Sequence, residues 1–125
     1  MLDRFDIHIQ VPSVNYSNLK SKKSECSKNI KYRVNKARKI QLKRYKENGI
    51  YSNAELTPGL IEKFCKLNEE SNTILEKSFK KLNLSARAYS KILKVARTIA
   101  DLDESENIET KHILEAIQYR SLDRL

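Results

Sequence analysis

Residues 84–102 read LSARAYSKILKVARTIADL, and this stretch decides the fold. At 100° per residue Tyr89, Ile92, Leu93, Ala96, Ile99 and Ala100 share one side, the widest apolar face in the chain, which predicts a helix at the centre of the packing. Ser85 is a good N-cap for it. Arg87 then falls in the first turn, where unpaired N–H groups and the helix dipole already make the surroundings positive and an acidic residue is favoured. Lys91, Lys94 and Arg97 lie within about 80–120° of Arg87 and read as a solvated cationic stripe. DLDESEN, from 101 to 107, breaks the apolar pattern.

Working toward the C-terminus, a last helix is expected from 109 or 110 to 119 or 120, with Ile113, Leu114, Ala116 and Ile117 turned inward. His112 in its first turn reads as a surface or core side chain rather than a ligand. Toward the N-terminus, Asn68 caps a helix with Glu69 and Glu70 in its first turn and Ile74, Leu75, Phe79 and Leu82 on its apolar face. Thr57-Pro58 opens a brief helix through Leu60, Ile61 and Phe64, since proline suits the first helical position. Before it, a long helix is expected over 28–46, ended by Asn48-Gly49. Ile30, Val34, Ala37, Gln41 and Tyr45 make a thin stripe on that helix, and Lys and Arg cover most of the rest, so it should dock by one side only.

The first 25 residues differ in kind. FDIHIQV, at 5–11, alternates apolar Phe5, Ile7, Ile9 and Val11 with polar residues, the period of a half-buried strand, and Pro12 stops it. A lone strand has no partner for its N–H and C=O groups, so it reads as the edge of a sheet lying elsewhere and the chain as a fragment. Residues 13–25, rich in Ser, Asn and Lys, read as a linker. The expected architecture is all-α: a small helical bundle over 26–125 behind an N-terminal extended segment over 1–25.

Composition agrees. With 125 residues, 39% hydrophobic, two Gly and two Pro, the chain suits one small helical domain with a modest core. The net charge is +9, but residues 20–46 carry twelve Lys and Arg against Glu25 alone, so the remainder is slightly acidic. A block so basic is a solvated helix face or a surface for phosphates and acidic partners. Cys26 and Cys65 are far apart without metal-ligand spacing, and no metal site is expected. No apolar run nears the roughly 20 residues of a membrane helix, and no signal peptide is evident, so a cytoplasmic protein with no membrane partner is expected. The only glycines, Gly49 and Gly59, exclude a G-x-x-x-x-G-K-[ST] phosphate loop within these residues. No activity is therefore expected of them alone.

LSARAYSKILKVARTIADL, followed by SENIETKHILEAIQYRSLDR, resembles the C-terminal part of the magnesium-chelatase-like AAA+ ATPases of the ComM/YifB competence family. LDRFDIHIQVP is similar to the segment where the last strand of that family's ATPase core leads into the lid, and ARKIQLKRY resembles the first lid helix. The resemblance implies that 1–25 is the end of a core plus linker and 26–125 an AAA+ lid. It implies that Arg87 is the sensor arginine that meets ATP phosphate, and that Arg4, in its L-x-R-F context, is an arginine finger acting on the neighbouring subunit's site. ATP and Mg²⁺ are implied cofactors of the full-length protein. The implied partners are its own upstream core, neighbouring subunits of a homo-oligomeric ring, and DNA in competence or recombination. The residues alone leave a different class open: a stand-alone basic helical nucleic-acid-binding module, with Lys36, Lys39 and Lys43 on the phosphate-facing side.

Overall fold

The computed structural model describes Ile7 and residues 26–119, and among them the regular elements are helices, with one isolated parallel bridge between Leu67 and Ile108. Five α-helices follow one another: α1 (Ser27–Arg44), α2 (Pro58–Phe64), α3 (Glu69–Lys81), α4 (Ala86–Leu102) and α5 (Thr110–Gln118), with a 3₁₀ turn at Asn53–Glu55 between α1 and α2. The expected strand at 5–11, apart from Ile7, the linker and Arg4 lie outside the described residues.

The helix starts follow their capping residues. The Asn68 side chain accepts from Ser71 N–H at 2.7 Å, and Ser85 Oγ accepts from Ala88 N–H at 3.1 Å. Each satisfies a donor that the first turn leaves without an intrahelical partner. Pro58 opens α2 as expected. α1 ends two residues earlier than expected, at Arg44, and the chain turns through 45–49 on Gly49 at φ 71°. α4 runs on through Leu102, so Asp101 belongs to the helix and not to the breaking segment.

α4 is the hub, packing against α1, α2, the 3₁₀ turn and, most extensively, α5, while α3 packs on α5. Its Ala88, Ile92, Ala96 and Ala100 are fully buried and meet Leu75 of α3 and Ile113 of α5 in one core. Burying each such Leu or Ile contributes about 1.5–3 kcal/mol. Tyr45 and Phe64 pack edge to face with ring centroids 5.1 Å apart, and Phe79 and Tyr89 do so at 5.9 Å. Tyr89, expected in the core, is instead an exposed rim residue.

The one-sided docking of α1 holds for half its length. Ala37, Gln41 and Tyr45 are buried, but Ile30 and Val34 on the same stripe are exposed, as is every residue from 26 to 36. The N-terminal half of α1 thus overhangs the bundle.

Candidate functional site

Arg87 occupies the second position of α4 and is exposed. No acidic residue sits in that first turn, in contrast to α3 with Glu69 and Glu70. Among the described residues no ion pair engages Arg87. The end of α4 therefore presents a guanidinium beside free backbone N–H groups, an arrangement that suits an anion.

The other end of α4 is tied to α1 by buried polar contacts that the sequence does not announce. Asp101 is fully buried; its carboxylate accepts from both terminal nitrogens of Arg44 and from Asn53 Nδ2 at 3.0 Å, and it forms an ion pair with Arg97, whose Nη2 lies 3.2 Å away. Asn53 Nδ2 also reaches Thr98 Oγ1 at 2.9 Å, Asn53 Oδ1 accepts from the Tyr45 hydroxyl, and Gln41 Oε1 accepts from Asn53 N–H at 3.0 Å. α1, the 3₁₀ turn and α4 are thereby sewn together at one point.

Two guanidiniums face one carboxylate here, and their environments differ. Burial opposes the charge of Arg44, but its bonds to Asp101 and Tyr45 outweigh burial and raise its pKa above the ordinary value. Burial dominates at Arg97 and lowers its pKa, with the Arg44 charge offsetting part of the attraction to Asp101. Arg97 is only 4% exposed, which overturns its reading as part of a solvated stripe. Its Nη1 donates to the Glu106 carbonyl at 3.1 Å and its Nη2 to the Ser105 carbonyl at 2.9 Å, so it holds the turn after α4 in place, while its buried Nε has no hydrogen-bond partner. In that turn Glu104 adopts φ 55°, an unfavourable region for a residue with a Cβ, and Lys36 reaches its carboxylate at 2.9 Å.

His112 is buried at the start of α5. Its Nδ1 accepts from Glu109 N–H at 2.9 Å, so the neutral ring carries its proton on Nε2 and donates to Asp103 Oδ2 at 2.9 Å. Asp103, Glu109 and His112 have donor atoms within 4.8 Å of one another. Both ring nitrogens are already used, however, and Lys111 Nζ lies 3.0 Å from Asp103, so the cluster works as a helix cap.

The residues singled out from sequence do not converge on one site. Arg87 stands at the N-terminal end of α4, whose 17 residues make it about 25 Å long, whereas Lys36 of α1 reaches Glu104 just past the C-terminal end of α4. Lys39 and Lys43 are exposed on α1, and Lys36 is committed in part to Glu104. No described helix is long and apolar enough to cross a membrane.

The described residues form a small all-helical bundle built around α4. The chain belongs to the family described as magnesium chelatase, subunit ChlI C-terminal, whose model matches residues 24–120. It is 42% identical over 126 residues to the competence protein ComM of Haemophilus influenzae, and 43% identical over 127 residues to YifB of Escherichia coli. YifB of Salmonella typhimurium is 39% identical over 126 residues. Each alignment covers 99% of this chain and 24% of the relative, so the chain spans about a quarter of the length of the curated relatives it matches.

Proposed function

We propose that this domain is the lid of a nucleotide-driven, ring-forming cytoplasmic motor acting on DNA, and that Arg87 is its sensor for bound ATP. The observation that carries the reading is the exposed guanidinium at the second position of α4, in a first turn without an acid. In isolation that placement costs a few tenths of a kcal/mol up to about 1 kcal/mol, and a phosphate at the same place turns the repulsion into attraction. The residues here fit one part of a nucleotide site: the Arg87 side chain and the start of α4 would hold phosphate oxygens. ATP with Mg²⁺ supplies the phosphoryl chemistry when bound, and these 125 residues contain no phosphate loop to cradle it.

In this reading residues 1–25 close the ATPase core and Arg4 completes the neighbouring subunit's site. DNA action draws support from the overhanging half of α1, exposed on all sides and basic, with Lys39 and Lys43 further along it. The competence role stated in the name of the Haemophilus relative points the same way.

The deciding experiment replaces Arg87 by Ala in the full-length protein. Steady-state ATP turnover should fall at least tenfold while the melting temperature of the domain is unchanged; unaltered turnover removes Arg87 from the site. For DNA, 3–5 phosphate contacts by α1 give a slope of log K against log salt of about −3 to −4.5. Replacing Lys36, Lys39 and Lys43 by Gln should flatten that slope by about one unit per lost contact. No binding at about 50 mM salt refutes DNA contact through α1.

A further inference from the structure

The outward face of α1 carries a residue that solvation does not call for. At 100° per residue Lys28, Tyr32, Lys36, Lys39 and Lys43 fall within about 80° of one another, on the side opposite the buried Ala37, Gln41 and Tyr45. All five are exposed, Tyr32 at 67%. α1 carries no acidic residue anywhere along its length. A face that only keeps a helix in water needs charge alone. A tyrosine in its midst loses rotamer freedom against the preceding turn, which lysine does not, and leaves an aromatic ring in solvent.

The ring is also held. Lys36 Nζ stands 5.7 Å from the centre of the Tyr32 ring and 2.9 Å from the Glu104 carboxylate in the turn after α4. One ammonium therefore ties the ring to the bundle at a level where α1 itself overhangs. Along the helix axis Lys28 lies one turn before Tyr32 and Lys36 one turn after it, about 6 Å in each direction, and Lys39 and Lys43 extend the row to about 22 Å. Cation, ring and cations thus alternate on one open surface.

We propose that this row takes single-stranded rather than duplex DNA, with the lysines on backbone phosphates and a base stacked on Tyr32. The inference rests on the reading of α1 as a DNA contact and names the form of DNA it takes. Lysines alone bind either form through phosphates. The ring distinguishes them: an unpaired base has a free face to lay on an aromatic side chain, whereas bases in a duplex are already stacked on one another and present the backbone to a row of this kind. An acidic protein segment would satisfy the lysines but make no use of the ring.

Fluorescence anisotropy with the 125-residue chain, a labelled oligothymidylate and a duplex of the same length tests it. Tyr32→Ala should weaken single-strand binding by about 5- to 150-fold, the range one stacked base supports, and leave duplex affinity unchanged. Tyr32→Phe, which keeps the ring, should bind the single strand as the unsubstituted chain does. Lys28→Gln and Lys43→Gln should instead flatten the salt dependence for both forms by about one unit per lost contact. Alanine is the better helix former at an exposed site, so the helicity of Tyr32→Ala, read by circular dichroism, should not fall. Unchanged single-strand binding by Tyr32→Ala, an equal loss on the duplex, or failure of Tyr32→Phe to restore binding overturns the proposal. So does polyglutamate binding that falls with Tyr32→Ala as much as the oligothymidylate does, because the surface is then one for acidic chains in general. If the lysine variants weaken binding while Tyr32→Ala does not, this inference fails and DNA contact through α1 stands; if neither oligonucleotide binds at about 50 mM salt, both fail.

Discussion

Replacing Asp101 by Asn keeps the shape of the side chain and removes its charge. In the native arrangement one carboxylate oxygen accepts from Arg44 Nη1 and Asn53 Nδ2, and the other accepts from Arg44 Nη2 and pairs ionically with Arg97 Nη2 at 3.2 Å. All four neighbours are donors. An amide offers one oxygen, so in either orientation its NH₂ points at two N–H groups. Arg97, 4% exposed, would keep its carbonyl partners but lose its counter-charge, and Arg44, with a side chain 17% exposed, would lose both bonds to Asp101. Removing one member of a buried ion pair costs about 3–5 kcal/mol. A domain of this size melts roughly 4–8 °C lower for each kcal/mol, so Asp101→Asn should lower Tm by roughly 12–40 °C. Against a total stability of about 5–15 kcal/mol, that brings the fold close to its limit. Thermal melts followed by circular dichroism, with urea titration as a second measure, give the answer. A fall of less than about 4 °C would show that the carboxylate does not organise the junction of α1 and α4.

Three further outcomes follow from individual contacts. Burial pushes the Cys65 thiol up to about 11, while Cys26 is exposed, so Ellman's reagent at pH 8 should titrate one thiol per folded chain quickly and the second only on unfolding. Asp103 is held below the ordinary carboxylate range by its bond to His112 and then by Lys111, so its contribution to stability is complete above the unfolded value near pH 4 and fades as pH falls through the lower folded value. Carboxyl carbon NMR titration should accordingly show the Asp103 midpoint rising when Lys111 is changed to Met. Glu104→Gly relieves a positive φ that costs a residue with a Cβ about 1–2 kcal/mol and gives up only a solvent-screened ion pair with Lys36. Tm should therefore stay level or rise by a few degrees, and a fall would mean that the Lys36 contact matters more than the turn.

The helices were legible because their signals are local. Ser85, Asn68 and Thr57-Pro58 each act within one turn of the residue that carries them, and the apolar faces of α3, α4 and α5 repeat at helical spacing. Arg97 and Asp101 were misread for the opposite reason. Each looks solvated by composition, and its burial depends on partners at Arg44, Asn53 and the carbonyls of 105 and 106, two of which lie more than forty residues away in sequence. One trace was present: Arg97 and Asp101 stand four apart, bracketed by Ala96 and Ala100, small residues that let a neighbouring helix approach. The exposed upper half of the α1 stripe was equally hidden, since periodicity shows which side of a helix docks and not how far the surface beneath it extends. At the candidate site the type and position of Arg87 could be read directly, since both follow from the cap at Ser85.

The Asp101 junction has a mechanical consequence for the proposed lid. Hydrophobic contacts between helices tolerate sliding, but hydrogen bonds from one carboxylate to Arg44 of α1 and Asn53 of the 3₁₀ turn fix rotation and register together, because any shift along the axis breaks geometry at several donors at once. The junction sits next to the C-terminal end of α4, and Arg87 stands at the opposite end of the same helix. α1 and α4 are thus joined as a single lever with a cation at one tip and an overhanging basic arm at the other. If α1 contacts DNA or a neighbouring subunit, a movement of α4 imposed at Arg87 cannot be absorbed between the two helices and must appear at the arm. Weakening the junction without removing its charge, by Asn53→Ala, which deletes one donor to Asp101 and the acceptor of Tyr45, separates these effects. If the proposed function holds, the domain should remain folded and the full-length protein should still turn over ATP, while any response of that turnover to DNA should be lost. Retained stimulation in a folded Asn53→Ala protein would mean that the arm is coupled to nucleotide by another route or not at all.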